Sequence, residues 1–223
     1  MHQSIMINNT VKEKCPSIHI GMITYHDIAV SDLPQMIKGR FQLFYEEIML
    51  ALEEKGVTDI DGVSEWRKIF KSLDIDPSRY RPSQEALFRR LKKGQALPSI
   101  HSAADLNNFF SLKYEIPLGI YDLDHINGDI QLTLGSENDQ YEGINGREMS
   151  MKGKLITADE SGAFGSPIVD SKRTMVTRDT VNALQIVYLK PSIDNSTSTK
   201  IITEIMNMFT HIHSGKAYYK IIN

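Results

Sequence analysis

The sequence predicts an α+β fold in which a helical N-terminal half packs on a small, mostly antiparallel sheet. Three observations predict it. Apolar residues recur at spacings of three and four through much of residues 35–112. From Gly119 the texture changes to short β-branched runs broken by Gly128, Gly135, Gly143, Gly146, Gly153, Gly162 and Gly165. A helical pattern then returns near the end of the chain. Helices, then strands, then a helix is not the strict alternation of a doubly wound sheet, so a Rossmann arrangement is excluded on pattern.

Residues 1–16 are polar and expected to fray, leaving 17–223 as a single domain. Ser17 to Val30, SIHIGMITYHDIAV, reads as a strand. Gln35 to Lys55 reads as a long amphipathic helix, with Met36, Ile37, Phe41, Leu43, Phe44, Ile48 and Leu52 on its apolar face and Gly56 as its stop. Trp66, Ile69, Phe70 and Leu73 mark a second helix over Val63 to Leu73. A third runs from Ser83, as N-cap, to Lys93 before Gly94, and a fourth from Ser102 to Leu112 before Pro117. DIQLTL, KLITAD and ALQIVYL are the strand runs, Pro191 to Thr199 is a polar loop, and a helix over Thr199 to His211 closes the chain.

Composition narrows the class without naming a function. The chain has 223 residues, 25 Lys and Arg against 28 Asp and Glu, and a net charge of -3, so it is no globally basic nucleic-acid coat. At this length folding buries roughly 70% of the unfolded surface. The single cysteine, Cys15, cannot form an internal disulfide, and with no basic-then-apolar leader or long apolar run the expectation is a cytoplasmic protein that does not engage a membrane. Cys15 lies in a polar stretch before Pro16 with no base nearby and is not read as a nucleophile. His211 and His213 are two apart, the wrong spacing for one helical face, and the other histidines are dispersed. Neither a metal nor a cofactor is expected.

Charge is distributed unevenly. Between Arg67 and Lys93 nine basic residues face three acidic ones, a net of +6, which leaves -9 for the remainder. On the third helix Leu87, Phe88 and Leu91 share a stripe while Arg89, Arg90, Lys92 and Lys93 fan over the opposite side. That side is either a solvated face, with Glu85 pairing Arg89, or a phosphate-contacting patch. Farther on, Ser161 to Asn182 gathers glycines, hydroxyls and charges. It suits either an ordinary surface loop or recognition of a small polar group such as an α-amino acid.

The run Asp105 to Asp122, DLNNFFSLKYEIPLGIYD, resembles the motif D-V-T-N, then five to ten mostly apolar residues, then P-L-H-A-F-D. That motif belongs to the editing domain of the bacterial phenylalanyl-tRNA synthetase β subunit, built from its third and fourth modules. Asp105, Asn108, Pro117, Leu118 and Asp122 fall in register without a gap, and similarity continues to the Thr-x-Asn of Thr180 and Asn182. It spans roughly residues 67–189 and is closer still to free-standing members, in which SQEALFRRLKKG followed by LP recurs. The resemblance implies a domain that receives the aminoacylated 3′ end of tRNA and, in the synthetase, hydrolyses wrongly attached tyrosine. It implies no aminoacylation activity.

The family's histidine is Gly119 here, and its acidic residue falls on or beside Arg173 and Thr174. Asp170, Asp179 and Thr174 are therefore the catalytic candidates, and Asn108, Gly119, Arg173, Thr180 and Asn182 the substrate-binding ones. Arg89, Arg90, Lys92 and Lys93 are the candidate tRNA contacts. The expected activity is hydrolysis of misacylated tRNA in trans. The alternatives are a non-catalytic module that binds tRNA or an amino acid, and an interaction domain with a vestigial pocket.

Overall fold

The computed structural model describes residues 4–223. One four-stranded sheet has the order β10 (Lys216–Ile222), β2 (Ile20–His26), β9 (Ala183–Tyr188), β3 (Leu118–Asp122), with every pair antiparallel. A second has the order β1 (Ile5–Ile7), β4 (Ile130–Leu134), β7 (Leu155–Asp159), β8 (Gly162–Gly165), in which only β1 and β4 run parallel. Strands β5 (Gln140–Glu142) and β6 (Glu148–Ser150) form a separate hairpin. The helices are α1 (Asn9–Lys14), α2 (Gln35–Glu54), α3 (Asp61–Ser72), α4 (Ser83–Lys92), α5 (Ser102–Tyr114) and α6 (Asn195–His213). The α+β class therefore stands, with two four-stranded sheets where the sequence suggested one.

Every residue of β3 and β9 is buried, which is why both read as nearly continuous apolar runs. Trp66 of α3 is fully buried and meets Tyr188 edge to face at 5.8 Å; Tyr25 of β2 stacks on Phe209 of α6 at 4.0 Å. Burying side chains of this size contributes about 1.5–3 kcal/mol each. Helices α3 and α5 meet where the backbone of Gly62 leaves no space for a side chain: a Cβ there would lie 2.2 Å from the carbonyl of Glu115. Helix α5 is capped by His101, whose Nδ1 accepts from the Ala104 amide at 3.2 Å.

Several expectations need correction. Residues 5–14 are not frayed: β1 and α1 are formed, Val11 is fully buried, and Cys15 is buried with it. Elements of three and six residues are too short to show a period. Ser83 is not a cap, because Pro82 precedes the first turn of α4 and the Ser83 amide donates to Pro167 at 2.8 Å. Helix α6 begins four residues earlier than expected, with the Asp194 side chain accepting from the Thr197 amide. It does not close the chain, since Gly215, at φ +83°, turns the backbone into β10. On α2 only Phe41 and Leu52 are fully buried; Met36, Leu43 and Leu50 stand 67, 62 and 65% exposed. Among the described residues no helix is long and apolar enough to cross a membrane.

Candidate functional site

The two four-stranded sheets meet at a polar cluster. Tyr121, from the edge strand β3, reaches inward and donates from Oη to Asp170 Oδ1 at 2.7 Å. The Ser166 amide approaches the same oxygen at 3.4 Å, and among the described residues Oδ2 accepts no hydrogen bond. Glycines make this approach possible: a Cβ on Gly119 would lie 2.0 Å from Tyr121 Oη, and one on Gly165 would lie 2.2 Å from Tyr121 Oη and 2.6 Å from Thr157 Oγ1. A histidine at position 119 would have to occupy the space that the tyrosine hydroxyl now fills.

Two further hydroxyls belong here. Tyr188 Oη and Thr157 Oγ1 are fully buried and have no hydrogen-bond partner of good geometry. The Tyr188 hydroxyl is nevertheless close enough to Asp170, Tyr121 and Thr157 for each to influence its ionisation. A buried hydroxyl without a partner costs about 1–3 kcal/mol, and here Tyr188, Tyr121 and Thr157 lie close enough to share their hydroxyl hydrogens with one another. Burial pushes the Asp170 carboxyl up to about 7, against the opposing pull of the Tyr121 and Ser166 hydrogen bonds. Burial also raises Tyr121 and Tyr188 well above the ordinary phenol range, with the negative charge of Asp170 adding to it, so both stay protonated as donors at neutral pH.

Beside the cluster lies an open cleft of about 480 Å³, lined by Tyr141, Glu142, Gly162, Ser171, Lys172 and Arg173 among others. Tyr141 connects the two, because its hydroxyl donates to the Val169 carbonyl at 2.7 Å, and burial, with the Asp170 charge adding to it, holds that hydroxyl protonated. Arg173 lines this cleft but is not an open anion fork. Nη2 and Nη1 meet the buried Asp159 carboxylate at 2.9 and 3.1 Å, and both nitrogens also donate to the carbonyls of Gly162 and His125. Arg173, one of the substrate-binding candidates, therefore has both ends of its guanidinium fork filled by groups of the protein itself.

Of the other candidates, Gly119 and Asp170 come together and the rest do not join them. Thr174 is buried, with its hydroxyl turned to the Phe164 carbonyl at 3.5 Å. Asp179 is exposed, and its side chain makes no hydrogen bond or ion pair among the described residues. Thr180 donates to Asp122 at 2.6 Å and pins the end of β3. Asn182 bridges Asp124 and His26 at 3.2 Å each. Asn108 lines a separate cavity of about 130 Å³ between α2 and α5, with Lys38, Tyr45 and Asp105. Position in the motif thus reported scaffold as well as site: Asp105 holds Ser99 and the Ile100 amide, and Asp122 holds Thr180.

Sequence reasoning missed Tyr121, Thr157 and Tyr188, since each sits in a strand that reads as core. The signal available was the pair of glycines, Gly119 and Gly165, in otherwise β-forming runs. It also missed a buried relay in which Tyr25 donates to Gln185, Gln185 to Asn107, and Asn107 to the Leu118 carbonyl. Every link is satisfied, so this relay fixes β3 against α5.

The basic helix is divided in its duties. Glu85 has a fully buried carboxylate and accepts from Arg89 at 2.8 Å and Arg67 at 3.0 Å, with Arg81 at 4.0 Å. Arg89 is therefore spent largely on the fold. Arg90 and Lys92 reach back to the Ala96 and Lys55 carbonyls at 3.0 and 2.7 Å, and Arg90, Lys92 and Lys93 are all exposed. These three keep their charge at the surface.

Comparison with known proteins identifies the family. The B3/4 domain family model matches residues 65–214. YhzB of Bacillus subtilis (strain 168) is 31% identical over 212 residues, 95% of this chain and 96% of that protein. The phenylalanine–tRNA ligase β subunit of Fusobacterium nucleatum is 24% identical over 112 residues, and that of Bifidobacterium longum 31% over 119. These matches cover 49 and 50% of this chain but only 14 and 13% of the ligase subunits. An N-terminal fragment of the phenylalanyl-tRNA synthetase β subunit from Pyrococcus horikoshii superposes with a TM-score of 0.49 at 13% identity, over 99% of this chain and 54% of that one. By its match over most of its length, the chain is a member of the B3/4 domain family.

Proposed function

We propose that this protein binds the aminoacylated 3′ end of tRNA and hydrolyses an amino acid wrongly attached to it. The observation that carries the reading is the Asp170 carboxyl, pushed up to about 7 by burial, held by Tyr121 at 2.7 Å and set beside the buried hydroxyls of Tyr188 and Thr157. Similarity to part of the phenylalanine–tRNA ligase β subunits supports the substrate class. A base poised near the working pH is the efficient one for activating water. Asp170 Oδ2 takes the proton as water oxygen attacks the ester carbonyl. The O–H groups of Tyr188 and Thr157 donate to the tetrahedral oxyanion. Collapse expels the ribose oxygen, which takes the proton back from Asp170, giving free amino acid and uncharged tRNA. The exposed cations Arg90, Lys92 and Lys93 supply phosphate contacts.

A second reading, a binding module without catalysis, is favoured by Gly119 in place of the family's histidine and by the commitment of Arg173 to Asp159. One experiment separates them: hydrolysis of a panel of cognate and mischarged aminoacyl-tRNAs by the purified protein, with Asp170→Asn and Tyr188→Phe beside it. Release of one amino acid by the wild type, lost in both variants, supports the hydrolase. Retention of aminoacyl-tRNA with no release across the whole panel overturns catalysis and leaves the binding module.

A further inference from the structure

From the exposed face of α2 we infer that the protein self-associates through this helix, pairing it antiparallel with the same helix of a second copy. Met36, Leu43 and Leu50 recur at intervals of seven and are each more than 60% exposed. At 100° per residue these three lie within about 20° of one line along the helix. Three large apolar side chains aligned on one soluble helix face are unusual, since exposed apolar residues are ordinarily scattered singly. Gly39, on the flank of that line, has nothing within 4 Å of where a Cβ would stand, leaving room for a close approach.

Charge on the helix chooses the occupant and its direction. The N-terminal half carries Lys38 and Arg40, the C-terminal half Glu46, Glu47, Glu53 and Glu54. A parallel pair would set like charges against like; an antiparallel pair sets each half against its opposite. With a two-fold axis beside Leu43, Leu43 meets its own copy and Met36 falls level with Leu50 of the second copy. Arg40 and Glu47 then lie on the same flank and, at 1.5 Å rise per residue, about 1.5 Å apart in height. Neither Arg40 nor Glu47 has a hydrogen bond or ion pair among the described residues, so both are free for this contact. The face is self-complementary, as a two-fold interface must be. It does not depend on the proposed hydrolysis.

The test is sedimentation velocity of the full chain over about a hundredfold range of concentration, where a seam this narrow gives a weak, micromolar-range dimer. The wild type is expected to shift toward twice the monomer mass as concentration rises. Leu43→Glu abolishes the shift. Arg40→Glu and Glu47→Arg singly raise Kd by about tenfold or more, while the double exchange Arg40→Glu with Glu47→Arg restores it. Circular dichroism melts matching wild type show that these surface variants still fold. A monomer at every concentration overturns the inference, whether α2 is bare or covered by another protein. A dimer indifferent to Leu43→Glu overturns it too and moves the contact to another face. A double exchange no better than the singles refutes the antiparallel register.

Discussion

Replacing Asp170 with asparagine should remove a pH-dependent stability penalty and the proposed activity together. The asparagine oxygen can still accept from the Tyr121 hydroxyl, so the geometry of that contact is kept. The folded protein holds the Asp170 proton up to about pH 7, whereas an unfolded aspartate releases it near 3.9. Because the folded state binds the proton more tightly, stability falls as pH rises between those two values and stays low above the upper one. Between pH 5 and pH 8 that withdraws at most roughly 2–3 kcal/mol from the wild type and nothing from Asp170→Asn, given a folded pKa of about 7. The assay is urea unfolding of both proteins at several pH values across that interval, read as the difference between them. His101 and His213, which burial holds below the usual imidazole range, contribute equally to both and cancel. If the two stability curves run parallel, Asp170 is ionised in the fold and the reasoning about its burial and its role as a base is refuted. In aminoacyl-tRNA hydrolysis the same carboxyl predicts a wild-type rate that rises through pH 7 as Oδ2 becomes available.

Gly119→Ala drives a methyl group onto the Tyr121 hydroxyl and should cost roughly 1–3 kcal/mol, lowering the melting temperature by several degrees; an unchanged melt would show that Tyr121 moves aside freely. Arg90→Glu with Lys93→Glu should weaken tRNA binding and flatten its salt dependence without altering the melt, measured by filter binding across a salt series. Arg89→Glu should instead destabilise the fold by placing a second carboxylate against buried Glu85, and a wild-type melt for that variant would contradict the division of roles along α4.

Helices α2, α3, α4 and α5 are legible because each is long enough for its apolar period to repeat, and α3 shows the cleanest stripe in Trp66, Ile69 and Phe70. The short elements β1 and α1 are not, since their order comes from pairing with β4 more than a hundred residues away. Asp170 could be singled out as a carboxylate near the altered motif, and Gly119 as its substitution. Thr157 and Tyr188 could not, because a hydroxyl on a buried strand looks like packing until the glycines opposite show what it faces. Arg173 looked like a free cation for the opposite reason: Asp159, its partner fourteen residues earlier, is masked by an ordinary strand ending.

Strand β2 lies between β9 and β10, so residues 20–26 find their two neighbours only in residues 183–188 and 216–222. During synthesis, β2 must therefore wait for about 160 residues before β9 satisfies its first edge and about 190 before β10 satisfies the second. Contacts of such long sequence separation slow folding and keep apolar strands open to wrong partners meanwhile. The local helices α2 to α5 can form well before that and shield part of the apolar surface. Chain lacking β10 would leave the edge of β2 unpaired, and the expected failure is aggregation during maturation rather than a modest loss of stability.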